Sequence, residues 1–229
     1  MKRSILLLAI LYTATTGFAQ KIDLVTLSGY GSALSFYFET SDKISIVFTK
    51  EGNILEFGTQ YDKGTYGYYP GKLLKYMGRV DYYSENENEA FRGKVKYIGL
   101  TMITYYGSYD DAALKGKIKS IGNIQFDYYA SFEDAAVKGC IKNIGGNAFT
   151  YCNSFDNEAI RGRVKTIGST RFDWYSSFDD KSLSGKVKSI DNYAFTYYTS
   201  FENNNGQKGY LKSGFQTKYI NGINYYVRN

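Results

Sequence analysis

The residue types that most often carry catalysis or bind metals are sparse in this sequence. Its 229 residues include no histidine and only two cysteines, Cys140 and Cys152. Without histidine, the commonest general base, the commonest metal ligand and every histidine-dependent nucleophile are excluded. What recurs instead, at a fixed interval, are charged and aromatic side chains. We therefore predict a protein that is not an enzyme and uses no cofactor and no metal.

Basic and aromatic side chains recur together from residue 92 onward. If the copies stack, these side chains align in a strip that could hold a polyanion or a glycan chain. The alternative is a solvated sheet face on which lysine discourages edge-to-edge association. The candidate binding face consists of Lys96, Lys119, Lys142, Lys165, Lys188, Tyr129, Tyr175 and Tyr198.

Carboxylates form a second recurring group, for example Glu133-Asp134 and Asp179-Asp180. Loop carboxylates can bind Ca²⁺, but the sequence has neither an EF-hand loop nor a glycine-rich calcium-binding nonapeptide. Capping of short turns explains these residues without a metal.

The elements that must position these side chains are five tandem copies of a 23-residue unit. Each copy has two extended segments and a connector, represented by residues 117–121, 125–129 and 131–139. Tyr, Phe, Ile and Val favour strands, and glycine separates the segments. The connector begins like a capping box and ends at glycine, which predicts a short helical turn anchored by Phe132 and Val137. The copies begin at Arg92, Lys115, Lys138, Arg161 and Ser184.

The two segments of each copy are expected to pair as an antiparallel hairpin, and the hairpins to join into an all-β meander. A register centred after the glycine places Lys119 opposite Asp127 and Ile118 opposite Tyr128, and such pairs stabilise a sheet. In this register neither face carries a clean apolar set, as a half-buried sheet should. Either the sheet is largely single-layered, with Tyr and Lys stems covering each other, or the copies form the alternative fold, a parallel β-solenoid with one 23-residue coil per copy.

The same register places Cys140 directly opposite Cys152, which predicts a disulfide bond. Both cysteines replace residues that recur elsewhere, a lysine and a tyrosine respectively. Two separate thiols are the alternative. A redox-active pair is not expected, because the two cysteines are twelve positions apart and do not form a Cys-X-X-Cys motif.

The flanking regions predict export and two caps. Residues 1–19 resemble a signal peptide, with Lys2 and Arg3 before a short apolar run and small residues before a cut after Ala19. Residues 20–91 are interpreted as an N-terminal β cap with a degenerate repeat, 92–207 as the five repeats and 208–229 as a C-terminal cap hairpin turning at Asn221-Gly222. No later apolar run is long enough to span a membrane.

Removing Lys2 and Arg3 lowers the formal net charge from +6 to +4, too little to predict nucleic-acid binding. The repeat, with its Lys-Ser-Ile-Gly core and tyrosine-rich second segment, resembles exported tandem-repeat proteins of Gram-negative Bacteroidota-type bacteria. That resemblance carries over no activity and no site residue. We expect a non-catalytic exported protein with an extended binding or structural surface. The alternative function is binding of a glycan or polyanion through the Lys/Tyr face, and an envelope protein is a further possible partner.

Overall fold

The computed structural model describes residues 21–28, 33–202 and 206–229, and the described residues contain eighteen β-strands and no helix. The predicted all-β class is therefore confirmed, while the predicted signal peptide lies outside the described residues. The strands are β1 (Lys21–Ser28), β2 (Leu34–Glu39), β3 (Ile44–Thr49), β4 (Ile54–Gln60), β5 (Leu73–Lys75), β6 (Val80–Tyr82), β7 (Val95–Ile98), β8 (Thr101–Tyr105), β9 (Ile118–Ile121), β10 (Ile124–Tyr128), β11 (Ile141–Ile144), β12 (Asn147–Tyr151), β13 (Val164–Ile167), β14 (Thr170–Trp174), β15 (Val187–Ile190), β16 (Tyr193–Ala194), β17 (Phe215–Ile220) and β18 (Ile223–Arg228).

The repeats form one eleven-stranded sheet, in which β6 to β16 lie side by side in chain order. Each copy contributes two strands, and every neighbouring pair whose register is given is antiparallel, both within a copy and between copies. The predicted antiparallel meander is confirmed, and the parallel solenoid is not formed. We call this layer the repeat sheet.

The segments before and after the repeats combine into a second sheet of seven strands, in the order β17-β18-β1-β2-β3-β4-β5. Strand β1 pairs in parallel with β18, so that Val25 lies opposite Tyr225. The predicted hairpin at Asn221-Gly222 is confirmed, because Ile220 pairs with Ile223 across it. The two ends of the described chain therefore lie in one layer, which we call the cover sheet.

The cover sheet packs on one face of the repeat sheet, and aromatic rings fill the space between them. Phe36 meets Phe149 edge to face with 5.4 Å between ring centroids, and Phe48 meets Phe126 at 5.3 Å. These four side chains are at most 1% exposed. Edge-to-face pairs add to the stabilisation from apolar burial. The molecule is a two-layer β-sandwich whose core lies between the sheets.

A β-bulge in each copy sets which side chains face this core. Where β8 pairs with β9, the register shifts so that Lys119 is an extra residue between Ile118 and Ser120. One extra residue lets Ile118 and Ile121 both point inward although three positions separate them. Both isoleucines are fully buried. The bulge explains why simple alternation along the sequence gave no clean apolar face.

The predicted hairpin register is wrong by one residue. Within the hairpin, Ser120 lies opposite Gln125, so Lys119 is not opposite Asp127 as predicted. Asp127 instead pairs with Asn143 of the following copy. A shift of one residue changes every cross-strand partner, so all the charge and aromatic pairs predicted within one hairpin are replaced.

The connectors are compact turns, and the helical turn that was predicted closes with a bond between residues four apart in three of them. In the second copy, the amide of Lys138 donates to the carbonyl of Asp134 at 2.9 Å, four residues earlier. Val137 is 5% exposed and anchors the turn, but Phe132 is 86% exposed and does not. The prediction that Phe132 is an anchor is therefore wrong.

Candidate binding surface

The bulge positions four of the five lysines of the predicted binding face over tyrosine rings of the preceding copy. These four ammonium groups and that of Lys212 each lie 4.9–5.6 Å from a ring centroid, within the range of cation–π attraction. We call this arrangement the bulge-lysine ladder and include in it Lys165, which has Cys152 in place of the ring. Its pairs are Lys96 with Tyr83, Lys119 with Tyr106, Lys142 with Tyr129, Lys188 with Tyr175 and Lys212 with Tyr198.

The tyrosines of this ladder use their hydroxyl groups inside the fold. Tyr129 donates to the carbonyl of Phe149 at 2.9 Å, and Tyr106 and Tyr175 make the corresponding bond to the next copy. Burial is the largest cause of the raised pKa of Tyr129. The structure thus brings the predicted lysines and tyrosines together, but the phenol groups already link neighbouring copies.

The lysines of the ladder differ in whether a carboxylate neutralises them. Lys142 pairs with Glu133 at 3.0 Å, and Lys96 pairs with Glu87 at 3.1 Å. In three copies the residue that corresponds to Glu133 is an aspartate, whose side chain is shorter, and no ion pair forms there within the described part of the chain. The lysines that lack an ion pair for this reason are Lys119, Lys165 and Lys188, and all three side chains are exposed.

A second set of cations lies over buried or half-buried rings closer to the cover sheet. Lys117 lies 5.4 Å from the ring of Tyr128, and Arg163 lies 5.6 Å from Trp174. Trp174 also donates to the carbonyl of Val164, which makes it a packing residue. Each copy contributes one cation to this set except the third copy, in which Cys140 occupies the position.

Cys140 departs from the pattern because a lysine of the cover sheet takes the missing place. The ammonium of Lys94 donates to the carbonyl of Gly116 in the regular copy. At the corresponding carbonyl, that of Gly162, the donor is Lys50 from the turn between β3 and β4, at 2.9 Å. The carbonyl of Lys50 in turn accepts from Ile141 at 2.7 Å. The small cysteine therefore leaves room for a contact that joins the two sheets.

The disulfide predicted between Cys140 and Cys152 is not formed: both thiols are free and buried. Within their hairpin, Asn143 pairs with Ala148, and the continuation of this register brings Cys140 level with Tyr151 rather than Cys152. Burial is the largest cause of the raised pKa of both thiols. Both are consequently poor nucleophiles at neutral pH.

The acidic residues of the connectors link one copy to the next. Asp134 accepts hydrogen bonds from the amide of Ala136 and from the hydroxyl and amide of Ser154 in the next connector. Asp134 thus caps its own turn through Ala136 and fixes the next connector through Ser154. The same link recurs as Asn88 with Ser108, Asp111 with Ser131, Asn157 with Ser177 and Asp180 with Ser200.

These links perturb the carboxylates but assemble no metal site. Hydrogen bonds from the side chains of Ser182 and Ser200 lower the pKa of Asp180 to about 2. Within the described residues, no group of three or more potential metal-ligating side chains of the His, Cys, Asp or Glu type comes together. The carboxylates therefore have a structural explanation in the contacts between connectors.

The surface feature that sequence reasoning missed is a row of exposed aromatic rings, one on each connector. Every ring follows the linking serine and precedes an acidic residue. This constant position within the repeat is the sequence signal from which the row could have been predicted. We call this set the aromatic row. Its exposed fractions are 101% for Tyr109, 86% for Phe132, 95% for Phe155, 92% for Phe178 and 91% for Phe201.

Comparison with known families identifies the repeat. A model described as the BspA type leucine rich repeat region matches residues 86–216 in six copies, more than half of the chain. The chain belongs to the BspA-type leucine-rich repeat family. Repeats of this family are typical of surface or secreted bacterial proteins and are generally non-enzymatic. No curated protein and no solved structure matched the chain in the corresponding comparisons.

The BspA-type repeats of this chain have an arrangement of their own. Their 23-residue period lies within the range of leucine-rich repeats, which usually contribute one strand of a curved parallel sheet. Here each copy contributes two antiparallel strands, and Ile, Val and Phe occupy the buried positions. In the part of the chain that the structure describes, there is no helix with the length and hydropathy needed to span a bilayer.

Proposed function

We propose that this BspA-type repeat protein is exported and works without catalysis, binding an extended partner along the surface of its repeats. One observation carries the proposal. The cover sheet occupies one face of the repeat sheet, whereas bulge lysines and exposed connector rings recur at every copy. A surface of this kind can engage a long partner at several equivalent points, which raises the overall affinity.

Fractionation of cells that express the full-length chain tests export. The expected result is a mature protein outside the cytoplasm whose first residue is Gln20. Retention in the cytoplasm with residues 1–19 still attached would contradict the proposal. Co-sedimentation of the purified mature chain with an isolated cell-envelope preparation then tests binding, and a chain that stays in the supernatant would argue against it.

A second candidate function is polyanion binding along the bulge-lysine ladder. It is favoured by Lys119, Lys165 and Lys188, whose exposed ammonium groups lack an ion pair among the described residues. Their spacing follows the repeat, so successive negative groups of a polymer could meet successive lysines. Phosphate and sulfate chains bind such rows mainly through charge, and binding weakens as salt screens it.

Retention on a heparin column distinguishes the two candidates. The triple variant Lys119→Ser, Lys142→Ser and Lys165→Ser should elute at lower salt than the wild type if the ladder binds polyanions. The matched control replaces Lys63, Lys75 and Lys208, which removes the same charge outside the ladder. Equal shifts in both variants would show an effect of net charge alone, and absence of retention in low salt would remove the polyanion candidate.

A further inference from the structure

The aromatic row has no role in holding the fold together. Its five rings are at least 86% exposed, while the buried anchor of the connector is a separate side chain such as Val137. A Tyr or Phe side chain carries about 150–250 Å² of largely apolar surface, and the five rings expose such an area at regular intervals along one edge. Exposed apolar surface on this scale marks an interaction site.

The rings are held at regular intervals on closed turns. In the second connector, Glu133 donates its amide to the carbonyl of Ala130, and its carboxylate accepts from the amide of the same alanine at 2.6 Å. Phe132 lies inside this turn. Bonds such as that between Asp134 and Ser154 fix each connector to the next. With two strands per copy, neighbouring rings are about 10 Å apart and the row is about 40 Å long.

Three of the five rings have an available hydrogen-bond acceptor beside them, because the glutamates that follow the other two rings are paired with lysines. Asp110, Asp156 and Asp179 directly follow a ring, and each uses Oδ2 to accept from a backbone amide three residues earlier, at 2.6–2.7 Å. No donor from the described residues occupies the other oxygen of these carboxylates. A carboxylate oxygen can accept a further hydrogen bond from a hydroxyl group. At these three positions the row therefore combines an apolar face with a polar acceptor.

The charge of this edge selects among partners. Each of the first four connectors, residues 107–116, 130–139, 153–162 and 176–185, carries two carboxylates and one cation. One bulge lysine accompanies each of these connectors, as Lys142 does where it pairs with Glu133, so the edge has no net charge per copy. An uncharged partner rich in hydroxyl groups matches an edge of this kind better than a strongly charged one.

We propose that the aromatic row binds an uncharged, extended β-1,4-linked polysaccharide. The axial C–H groups of a β-linked pyranose form an apolar face that packs on an aromatic ring, whose face carries partial negative charge. In an extended β-1,4 chain, every second sugar presents this face in the same direction, at an interval close to the spacing of the rings. Hydroxyl groups at the sugar edge donate to the neighbouring carboxylates. The inference rests on the proposed function, for which it names a ligand class and a site.

The test compares two variants of the mature protein. The row variant combines Phe132→Ser, Phe155→Ser and Phe178→Ser, and the matched control combines Tyr66→Ser, Met77→Ser and Leu100→Ser, whose side chains are 83–99% exposed elsewhere. Affinity electrophoresis in gels containing hydroxyethylcellulose, glucomannan or xylan measures binding. Thermal unfolding checks that both variants remain folded.

The wild type and the control should be retarded by at least one of these polymers, and the row variant should not. The loss of each ring that stacks on a sugar should weaken binding about fivefold. Titration with cellotriose and cellohexaose, or with the corresponding chitin oligosaccharides, should show much tighter binding of the hexamer, because it reaches more rings.

Three results would overturn the inference: no retardation of the wild type by any of the polymers, equal retardation of the row variant, or a wild-type dimer that the row variant converts to a monomer. The last would assign the row to self-association. If the wild type binds none of the polysaccharides but is exported and co-sediments with the cell envelope, the inference is refuted and the proposed function stands.

Discussion

Two phenylalanines six residues apart give the sharpest test of the two-layer architecture. Phe126 is fully buried between the sheets, with its ring centroid 5.3 Å from that of Phe48 and 6.3 Å from that of Phe38. Phe132 lies on the connector and is 86% exposed. The same substitution to alanine at the two positions therefore probes opposite environments within one copy.

The expected cost of Phe126→Ala follows from the area that the ring loses. Burial of about 200 Å² at about 25 cal/mol/Å² is worth about 5 kcal/mol, of which alanine retains a small part. Substitutions of this type cost about 3–5 kcal/mol in measured cores. Phe132→Ala, which removes a side chain without packing partners, should change the free energy of unfolding by less than about 0.5 kcal/mol.

Urea unfolding followed by tryptophan fluorescence measures both values, since the chain has one tryptophan, Trp174. If Phe126→Ala does not fold, Phe126→Leu keeps the test usable, with an expected loss of about 1–1.5 kcal/mol. Equal effects at positions 126 and 132 would refute the assignment of one ring to the core and the other to solvent. A loss below about 1 kcal/mol for Phe126→Ala would refute the packing of the cover sheet on the repeat sheet.

Three further predictions concern the contacts between copies and the thiols. Gly162→Ala should destabilise the fold more than Gly93→Ala in thermal unfolding, because both have positive φ but only at Gly162 would the new Cβ approach the preceding connector's carbonyl oxygen, at 2.9 Å. Asp180 has a pKa lowered to about 2, so its contribution to stability is complete above the unfolded value of 3.8 and is lost as pH falls toward 2; Asp180→Asn should flatten the wild-type loss of stability in that window. Alkylation without reduction should label Cys140 and Cys152 only after unfolding, and a mass lower by two hydrogens with no label would contradict the free thiols.

The parts of the fold that sequence analysis could predict are those set by neighbouring residues. The strands ending at Glu39 and Thr49 and the turn at Asn221-Gly222 follow from strand-forming residues separated by glycine and asparagine. The antiparallel meander follows from short links between segments of one copy. These features depend on local conformational preference, which a single sequence records directly.

Two errors arose where a single residue or a distant segment decides the structure. The bulge at Lys119 decides which side chains face the core, and no side-chain pattern distinguishes a bulged lysine from a paired one. The hairpin closes on a two-residue turn, with Ile121 opposite Ile124, which moves its register by one residue and removes the predicted pairing of Cys140 with Cys152. The cover sheet depends on the parallel pairing of Leu24 with Asn224, which lie about two hundred positions apart, and the sequence carries no local record of such a contact.

The five copies also show which positions are under constraint from outside the fold. Repetition alone could propagate any surface residue, yet an exposed position on the repeat sheet changes repeatedly between copies. Its occupants are Met102, Gln125, Ala148, Arg171 and Ala194. One buried position also changes, from Ile103 to Phe126, and the cation set is broken at Cys140. The buried isoleucine position, from Ile98 to Ile190, is unchanged in all five copies, and there the core accounts for it. The aromatic row stays aromatic in all five copies although no packing contact accounts for it, which is why we propose a contact with another molecule at these rings.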